Sequence, residues 1–171
     1  MDEIHVIGGK CLHGNITVQG SKNTVLPLMA GALLYRGINV LKACPRITDV
    51  FYMEEILRAL GAETWWEDHD LYLDCTHADG SHVPEIYSGR MRSSIILLGP
   101  ILARNHQAEI GYPGGCVIGK RPVDLHLYVL RRFGAEIKEE EKKITVSCKK
   151  LCGTEIVFPK RSVGATEQAI L

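Results

Sequence analysis

Hydrophobic residues recur every three or four positions in two segments of the chain. One series is Val50, Met53, Leu57 and Leu60, and the other is Val123, Leu127 and Leu130. This spacing places each series on one face of an amphipathic helix. A glycine follows each series, where left-handed backbone often ends a helix. Polar residues just before the apolar series, namely Thr48 or Asp49 and then Asp124, are predicted to cap the two helices.

Short runs with alternating or continuous apolar residues lie between and after these helices and predict strands. They cover residues 38–41, 62–66, 71–73, 108–112, 135–138, 143–147 and 154–158. Two further stretches, ending near residues 36 and 104, have little polar surface and predict buried helices. The paired Trp65 and Trp66 are expected to pack within a strand and its hairpin.

The order of these elements repeats. Residues 57–63 and 130–136 both read Leu-Arg-x-x-Gly-Ala-Glu, and residues 31–36 resemble residues 99–104. Each unit is predicted to run buried helix, strand, surface helix, strand, strand, which gives an α/β protein with internal repeats. Residues 162–171 resemble the start of a third buried helix. We therefore expect the chain to be truncated inside a third unit, with an apolar face left open to self-association.

Composition excludes several classes of protein. The 171 residues are 46% hydrophobic and carry 20 basic and 20 acidic side chains, so bulk charge favours neither nucleic acid nor a membrane surface. No apolar stretch has the length of a membrane span, and the first residues do not form a signal peptide. A cytoplasmic protein is predicted. No cysteine and histidine spacing matches a zinc site, so no structural metal is expected. A cofactor is not expected either.

One cysteine, Cys116, lies in a glycine-rich loop just before Lys120 and Arg121. Neighbouring cations can lower the pKa of a thiol and make it reactive, although a surface hairpin with an incidental thiol also fits the loop alone. The other cysteines are interpreted as small apolar core residues or surface thiols. These are Cys11, Cys44, Cys75, Cys148 and Cys152.

Five short motifs occur in a characteristic order. They are Gly-Ser-Lys-Asn at 20–23, Met-Arg-Ser-Ser at 91–94, Pro-Gly-Gly-Cys at 113–116, Gly-Lys-Arg-Pro-Val-Asp-Leu-His at 119–126 and Ser-Val-Gly-Ala-Thr at 162–166. Together they resemble the N-terminal part of the UDP-N-acetylglucosamine 1-carboxyvinyltransferases, enolpyruvyl transferases that open peptidoglycan synthesis. The related 3-phosphoshikimate 1-carboxyvinyltransferases share the repeated fold but lack the cysteine loop and the Arg-Pro-Val-Asp-Leu-His run, so they are the weaker alternative.

The resemblance implies an inside-out α/β barrel of repeated helix-and-sheet units, of which this chain holds only part. Family members have two domains and are more than twice as long. By this comparison residues 1–20 are opening strands of the second-domain type, 21–88 are the first unit, 89–160 the second, and 161–171 the start of a third. The implied reaction transfers enolpyruvyl from phosphoenolpyruvate to the 3′-hydroxyl of UDP-N-acetylglucosamine and releases phosphate.

The resemblance also assigns roles to residues. Lys22 and Asn23 contact phosphoenolpyruvate, and Arg92 faces phosphoenolpyruvate or the nucleotide phosphates. Cys116 donates a proton to the methylene carbon and implies sensitivity to fosfomycin. Two stretches bind the nucleotide sugar: Arg121, Pro122, Val123, Asp124 and Leu125, and then Lys160, Ser162, Val163 and Gly164. His126 is interpreted as a packing or surface residue and Arg90 as a plain surface cation.

Two kinds of function remain open at this stage. The first is an enzyme of which this chain is one part and which needs the missing domain, so that the chain alone is inactive. The second is a stand-alone, non-catalytic module that binds a nucleotide sugar. Phosphoenolpyruvate and UDP-N-acetylglucosamine are the expected small-molecule partners in the first case.

Overall fold

The computed structural model describes residues 3–113 and 123–171. The first repeat unit contains three strands and two helices. They are α1 (Lys22–Ala32), β1 (Ile38–Leu41), α2 (Thr48–Ala59), β2 (Glu63–Glu67) and β3 (Asp70–Asp74). Strand β3 lies between β1 and β2, and both pairings are antiparallel. The alternation in β3 turns Leu71 and Leu73 into the core, so one face of this sheet packs on helices.

The second unit repeats this arrangement with additions. β4 (His82–Val83) and α3 (Glu85–Ser88) fall within the predicted first unit, residues 21–88, although β4 joins the sheet of the second unit. The elements after residue 88 are a 3₁₀ helix (Arg92–Leu97), α4 (Leu98–Asn105), β5 (Gln107–Gly111), α5 (Asp124–Arg132), β6 (Glu136–Glu139) and β7 (Lys143–Ser147). The sheet order is β4-β5-β7-β6, in which β4 pairs parallel to β5 and the other pairs are antiparallel. The chain then reaches α6 (Val163–Ile170).

The internal repeat is therefore a structural one. Strands β1, β3 and β2 correspond to β5, β7 and β6, and Glu63 opposite Asp74 corresponds to Glu136 opposite Ser147. The glycines after the two surface helices also correspond, because Gly61 has φ +99° and Gly134 has φ +94°. Both occupy the left-handed conformation expected of a residue that terminates a helix.

The predicted helix caps are wrong. Helix α2 has Ile47 at its N-cap and α5 has Val123, and neither makes a side-chain capping hydrogen bond. Thr48 and Asp124 are instead the first residues inside their helices. An acidic residue in the first turn still interacts favourably with the helix dipole, so Asp49 and Asp124 support these helices without capping them.

Two predicted strand regions also differ from the structure. Residues 154–158 form no strand, because side chains of α5 bind their backbone: Arg132 donates to Glu155 O at 2.8 Å and Tyr128 donates to Val157 O at 3.1 Å. Residues 3–20 contain no helix or strand, and Ile4, for example, is 91% exposed. A strand needs a neighbour for its backbone hydrogen bonds, and the strands of the described ranges pair only with one another. The boundaries of the four predicted divisions remain predictions.

The core lies between the two sheets and the buried helices. Side chains with almost no exposed surface come from α1, the 3₁₀ helix, α4 and both sheets, among them Met29, Leu98 and Ile144. A smaller cluster on the other side of α5 joins Leu125 and Val129 to Ala165 of α6. Helix α5 is thus buried on two sides. Among the described residues no helix has the length and apolar character of a membrane span.

Candidate functional site

An open cleft of about 580 Å³ lies where the first residues of α1, the 3₁₀ helix and α6 come together. It brings together predicted binding residues from three distant parts of the sequence, namely Lys22, Asn23, Arg92, Val163 and Gly164. The cleft is lined by Lys22, Asn23, Leu26, Pro27, Asp49, Arg90, Met91, Arg92, Ser93, Ile95, Ile96, His126, Val163, Gly164 and Glu167. Three helix starts therefore contribute to one concave surface, as is common for sites that bind anions.

Lys22 is the first residue of α1 and is held by the first unit's surface helix. Its Nζ lies 2.6 Å from Oδ2 of Asp49 in the first turn of α2. Ser21 has extended backbone at the N-cap and makes no side-chain capping hydrogen bond. The start of α1 therefore presents backbone N–H groups beside a fixed ammonium. Sequence reasoning considered Asp49 only as a cap, because nothing in a single sequence shows that α1 and α2 begin side by side.

Two arginines also line the cleft. Arg92 begins the 3₁₀ helix, whose next turns are fixed by the buried Ile95, Ile96 and Leu97. Arg90 was predicted to be a plain surface cation, but it lines the same cleft, with its guanidinium 5.8 Å from the ring of Tyr52. Lys22, Arg90 and Arg92 give the cleft three cations against the carboxylates of Asp49 and Glu167. Guanidinium groups suit phosphate and carboxylate because they donate two parallel hydrogen bonds.

His126 closes one end of the cleft and is only 9% exposed. Its Nδ1 is buried, and no described residue forms a hydrogen bond with it. A Cβ at Gly164 would lie 3.0 Å from Cε1 of the imidazole, so the absence of a side chain at Gly164 lets α6 approach the ring. The predicted packing role of His126 agrees with this burial, while its position in the cleft was not predicted.

Burial lowers the pKa of His126 below its ordinary value of 6.5, and the nearby Arg92 adds to the shift. The unfolded chain therefore takes up a proton at a higher pH than the native chain does. Stability that is present above pH 6.5 is lost as the pH falls towards the native pKa. Urea denaturation of the wild type and His126→Gln at about pH 8 and about pH 5 should show a steeper acid loss in the wild type. Equal losses in both proteins would contradict this role.

The start of α6 forms a second hollow of about 610 Å³ beside the cleft, and Val163 and Glu167 line both. Lys160 and Ser162 line this second hollow. The Ser162 hydroxyl accepts a hydrogen bond from the backbone N–H of Ala165 at 3.3 Å, so it caps α6. The predicted nucleotide-sugar residues of this region are therefore adjacent to the predicted phosphoenolpyruvate residues.

Other predicted site residues are placed differently or lie outside the described ranges. Val123 and Leu125 are less than 10% exposed and pack in the two hydrophobic clusters, whereas Asp124 between them is exposed. The predictions on Cys116, Arg121 and Pro122 fall outside the described residues. The described cysteines are free, and burial raises the pKa of Cys44 and Cys75 to about 11, which keeps both thiols protonated at neutral pH.

Comparison with known proteins gives consistent matches over nearly all of the chain. The family profile described as EPSP synthase (3-phosphoshikimate 1-carboxyvinyltransferase) matches residues 6–171. The chain is 41% identical to UDP-N-acetylglucosamine 1-carboxyvinyltransferase 2 of Caldanaerobacter subterraneus, with all of this chain and 41% of that protein covered. It is also 41% identical to UDP-N-acetylglucosamine 1-carboxyvinyltransferase of Wolbachia pipientis, with 95% of this chain and 40% of that protein covered.

Solved structures show the same fold. The enolpyruvyl transferase NikO from Streptomyces tendae superposes with a TM-score of 0.72 at 24% identity, covering 84% of this chain and 32% of that one. EPSP synthase from Acinetobacter baumannii superposes with a TM-score of 0.70 at 17% identity, covering 91% of this chain and 37% of that one. These matches confirm the predicted fold class. The chain spans about two fifths of the length of the curated relatives that it matches.

Proposed function

Because the chain belongs to the EPSP synthase family of enolpyruvyl transferases, we propose that it supplies one substrate-binding wall of a UDP-N-acetylglucosamine 1-carboxyvinyltransferase. The observation that carries this proposal is the cleft in which Lys22, Arg90 and Arg92 meet at the starts of α1 and the 3₁₀ helix. The relatives with that name are 41% identical to this chain. As in the prediction from sequence, the reaction would be the first committed step of peptidoglycan synthesis, and it would take place in the cytoplasm.

The proposed reaction needs strong anion binding, since phosphoenolpyruvate carries a phosphate and a carboxylate and the sugar nucleotide carries a diphosphate. The sugar 3′-hydroxyl gives up its proton as its oxygen bonds to the central carbon of phosphoenolpyruvate, and the methylene carbon of phosphoenolpyruvate gains a proton. Loss of a proton from the resulting methyl group and departure of phosphate then give the enolpyruvyl sugar. Preorganised cations stabilise the phosphate and carboxylate charges throughout.

We assign roles to the residues on this basis. Lys22, held by Asp49, would bind the phosphate or carboxylate of phosphoenolpyruvate with Asn23 beside it. Arg92 would bind the same ligand or the nucleotide diphosphate. Lys160, Ser162 and Val163 would bind the sugar nucleotide along the second hollow, and Gly164 would bind it from the adjoining cleft. Arg121, Pro122, Val123, Asp124 and Leu125 would hold the uridine end, and Cys116 would donate the proton and react with fosfomycin.

Sugar-nucleotide binding tests the proposal. Calorimetric titration of this chain with UDP-N-acetylglucosamine should give saturable heat, and Arg92→Met should weaken binding about tenfold or more, since a charge-assisted contact is lost. Arg131→Met is the matched control, because Arg131 pairs with Glu139 on the surface and does not line the cleft. Its affinity should equal that of the wild type. Loss of affinity in both variants would contradict the assignment, and no loss in either would assign Arg92 to phosphoenolpyruvate alone.

A parallel titration with shikimate 3-phosphate distinguishes the weaker alternative within the family. Preferential binding of that ligand would favour the 3-phosphoshikimate enzyme, whose name the matching family profile carries. Binding of UDP-N-acetylglucosamine without turnover would fit both the partial enzyme and a stand-alone binding module. Full-length protein that binds both substrates and releases phosphate would favour the enzyme.

A further inference from the structure

The outward face of the first unit's sheet carries a row of apolar side chains across its three strands. Val40, Tyr72 and Trp65 are opposite one another in the register of β1, β3 and β2. Val40 is 41% exposed and Trp65 37%, and Ile38 next to this row is 54% exposed. The rings of Trp65 and Tyr72 stack with centroids 5.1 Å apart and planes 14° from parallel. We call this surface the aromatic sheet face. Trp66, by contrast, points inward and packs against the core, as predicted.

The second unit shows that the fold does not require this apolar row. The strand registers make Glu109, Thr145 and Lys138 the counterparts of Val40, Tyr72 and Trp65. Those polar residues have partners on the surface, since Glu109 Oε2 accepts from Lys143 at 3.0 Å and from Thr145 at 3.2 Å. The same sheet geometry therefore accepts a solvated, charge-paired row in one unit and an exposed aromatic row in the other. Contiguous exposed apolar surface often marks a binding site.

Carboxylates flank the aromatic sheet face on both sides. Glu63 is directly opposite Asp74, and Glu67 is directly opposite Asp70. Like charges in directly opposite positions destabilise a sheet. The three strands contain no lysine or arginine, and the nearest cation in sequence is the exposed Lys42, which directly follows β1 at the Asp70 end of the face. The corresponding positions of the second unit pair Glu136 with Ser147 and place Lys143 where the first unit has Asp70. The acidic rim is thus a property of the first unit.

We propose that the aromatic sheet face binds a basic segment of a partner protein. An arginine or lysine of the partner would stack on the exposed ring of Trp65, and its neighbouring cations would pair with the carboxylates of the rim. The aliphatic parts of such side chains would cover Val40 and Ile38. This proposal is independent of the proposed enzymatic function, because none of these residues lines the cleft.

The negative charge of the rim favours a basic partner over a second copy of the chain, nucleic acid or an anionic lipid surface. A second copy of the chain related by twofold symmetry would bring two acidic rims together, which is unfavourable. Nucleic acid and anionic lipid surfaces would be repelled by the same four carboxylates. A cationic polypeptide is the class of partner that gains from both the aromatic centre and the acidic rim.

The probe is a fluorescein-labelled peptide of alternating arginine and leucine, and its affinity for this chain is measured by fluorescence anisotropy. Trp65→Lys introduces the residue that the second unit has at this position, so the sheet should tolerate it. We expect this variant to bind about tenfold or more weakly. Glu67→Gln, which keeps the aromatic row, should bind more weakly by a smaller factor and reduce the salt dependence. Lys138→Gln, on the corresponding surface of the second sheet, is the control and should bind like the wild type.

Three results would overturn the proposal. The first is absence of peptide binding by the wild type at low salt. The second is equal affinity of the wild type and both first-unit variants. The third is concentration-dependent dimerisation, measured by light scattering, that Trp65→Lys abolishes while peptide binding stays unchanged, since the face would then bind a second copy. Far-ultraviolet circular dichroism of each variant checks that it is folded. If Trp65→Lys does not fold, Glu67→Gln and the salt dependence still decide the question.

Discussion

Replacing Arg104 with methionine should cost about 3–5 kcal/mol of unfolding free energy, because it removes a buried cation that binds several backbone carbonyls. The Arg104 side chain is only 4% exposed. It donates to Leu33 O at 2.8 Å and to Cys75 O at 2.6 Å, and its Nε lies 3.2 Å from Asp79 Oδ1. These contacts join α4 of the second unit to α1 and to the end of β3 in the first. Loss of the guanidinium would remove the donor to Leu33 O and would leave Cys75 O with only the longer bond from the backbone N–H of Ala78 at 3.3 Å.

The first unit provides the control for this prediction. Arg36 is the repeat counterpart of Arg104, but its side chain is 56% exposed and its ion pair is with Asp79 at 2.9 Å on the surface. Arg36→Met should therefore cost less than about 1 kcal/mol, as exposed ion pairs usually do. Urea denaturation of the two variants, monitored by circular dichroism, measures both values. Similar losses for Arg36→Met and Arg104→Met would show that Arg104 does not join the units.

Gly99→Ala should cost about 2–4 kcal/mol, since it displaces a buried amide that makes two hydrogen bonds. The amide of Gln168, which is 1% exposed, occupies the space where a Cβ at Gly99 would lie. In its satisfied orientation this amide donates to Ile95 O at 3.1 Å and accepts from Gly99 N–H at 2.9 Å. Gln168 thus docks α6 onto the junction of the 3₁₀ helix and α4. The variant should detach α6 from this junction and thereby open the cleft.

Gly31 is the repeat counterpart of Gly99 and serves as the matched control. A Cβ there would meet only the tip of the Leu171 side chain, at 3.2 Å. Gly31→Ala should change stability by less than about 1 kcal/mol, and the higher helix propensity of alanine favours a small gain. Thermal and urea denaturation test stability, and amide hydrogen exchange in α6 tests its docking. Unchanged exchange in Gly99→Ala would contradict the role assigned to Gln168.

The repeat pairs Arg36 and Arg104, and Gly31 and Gly99, show what the sequence could and could not predict about the fold. The likeness of residues 31–36 to residues 99–104 is visible in the sequence, and so are the periodicity of α2 and α5 and the glycines that end them. The sequence does not show that Arg104 is buried and Arg36 exposed, or that Gly99 faces Gln168 and Gly31 does not. That difference arises from contacts between units, which depend on how the helices pack. The predicted strand at 154–158 failed for a different reason, because side chains of α5 in the same unit bind its backbone.

For the site, the sequence predicted which residues line the cleft better than it predicted the contacts between them. The short motifs identify Lys22, Asn23, Arg92, Val163 and Gly164, and the structure places all five on one cleft. No sequence pattern indicates that Asp49 holds Lys22, because that contact depends on α1 and α2 starting side by side. Arg90 stands two positions before Arg92, a spacing that in extended backbone places both side chains on one side. That spacing was a usable signal for its position in the cleft.

Phosphate release by the purified chain, measured with phosphoenolpyruvate and UDP-N-acetylglucosamine together, tests the central claim most directly. That claim is that this chain provides a binding wall whose catalysis depends on further residues of the family's longer proteins. We expect a folded sample that binds UDP-N-acetylglucosamine and releases no phosphate above the buffer control. Phosphate release that Cys116→Ala abolishes would contradict the claim, because the chain alone would then hold a complete active site.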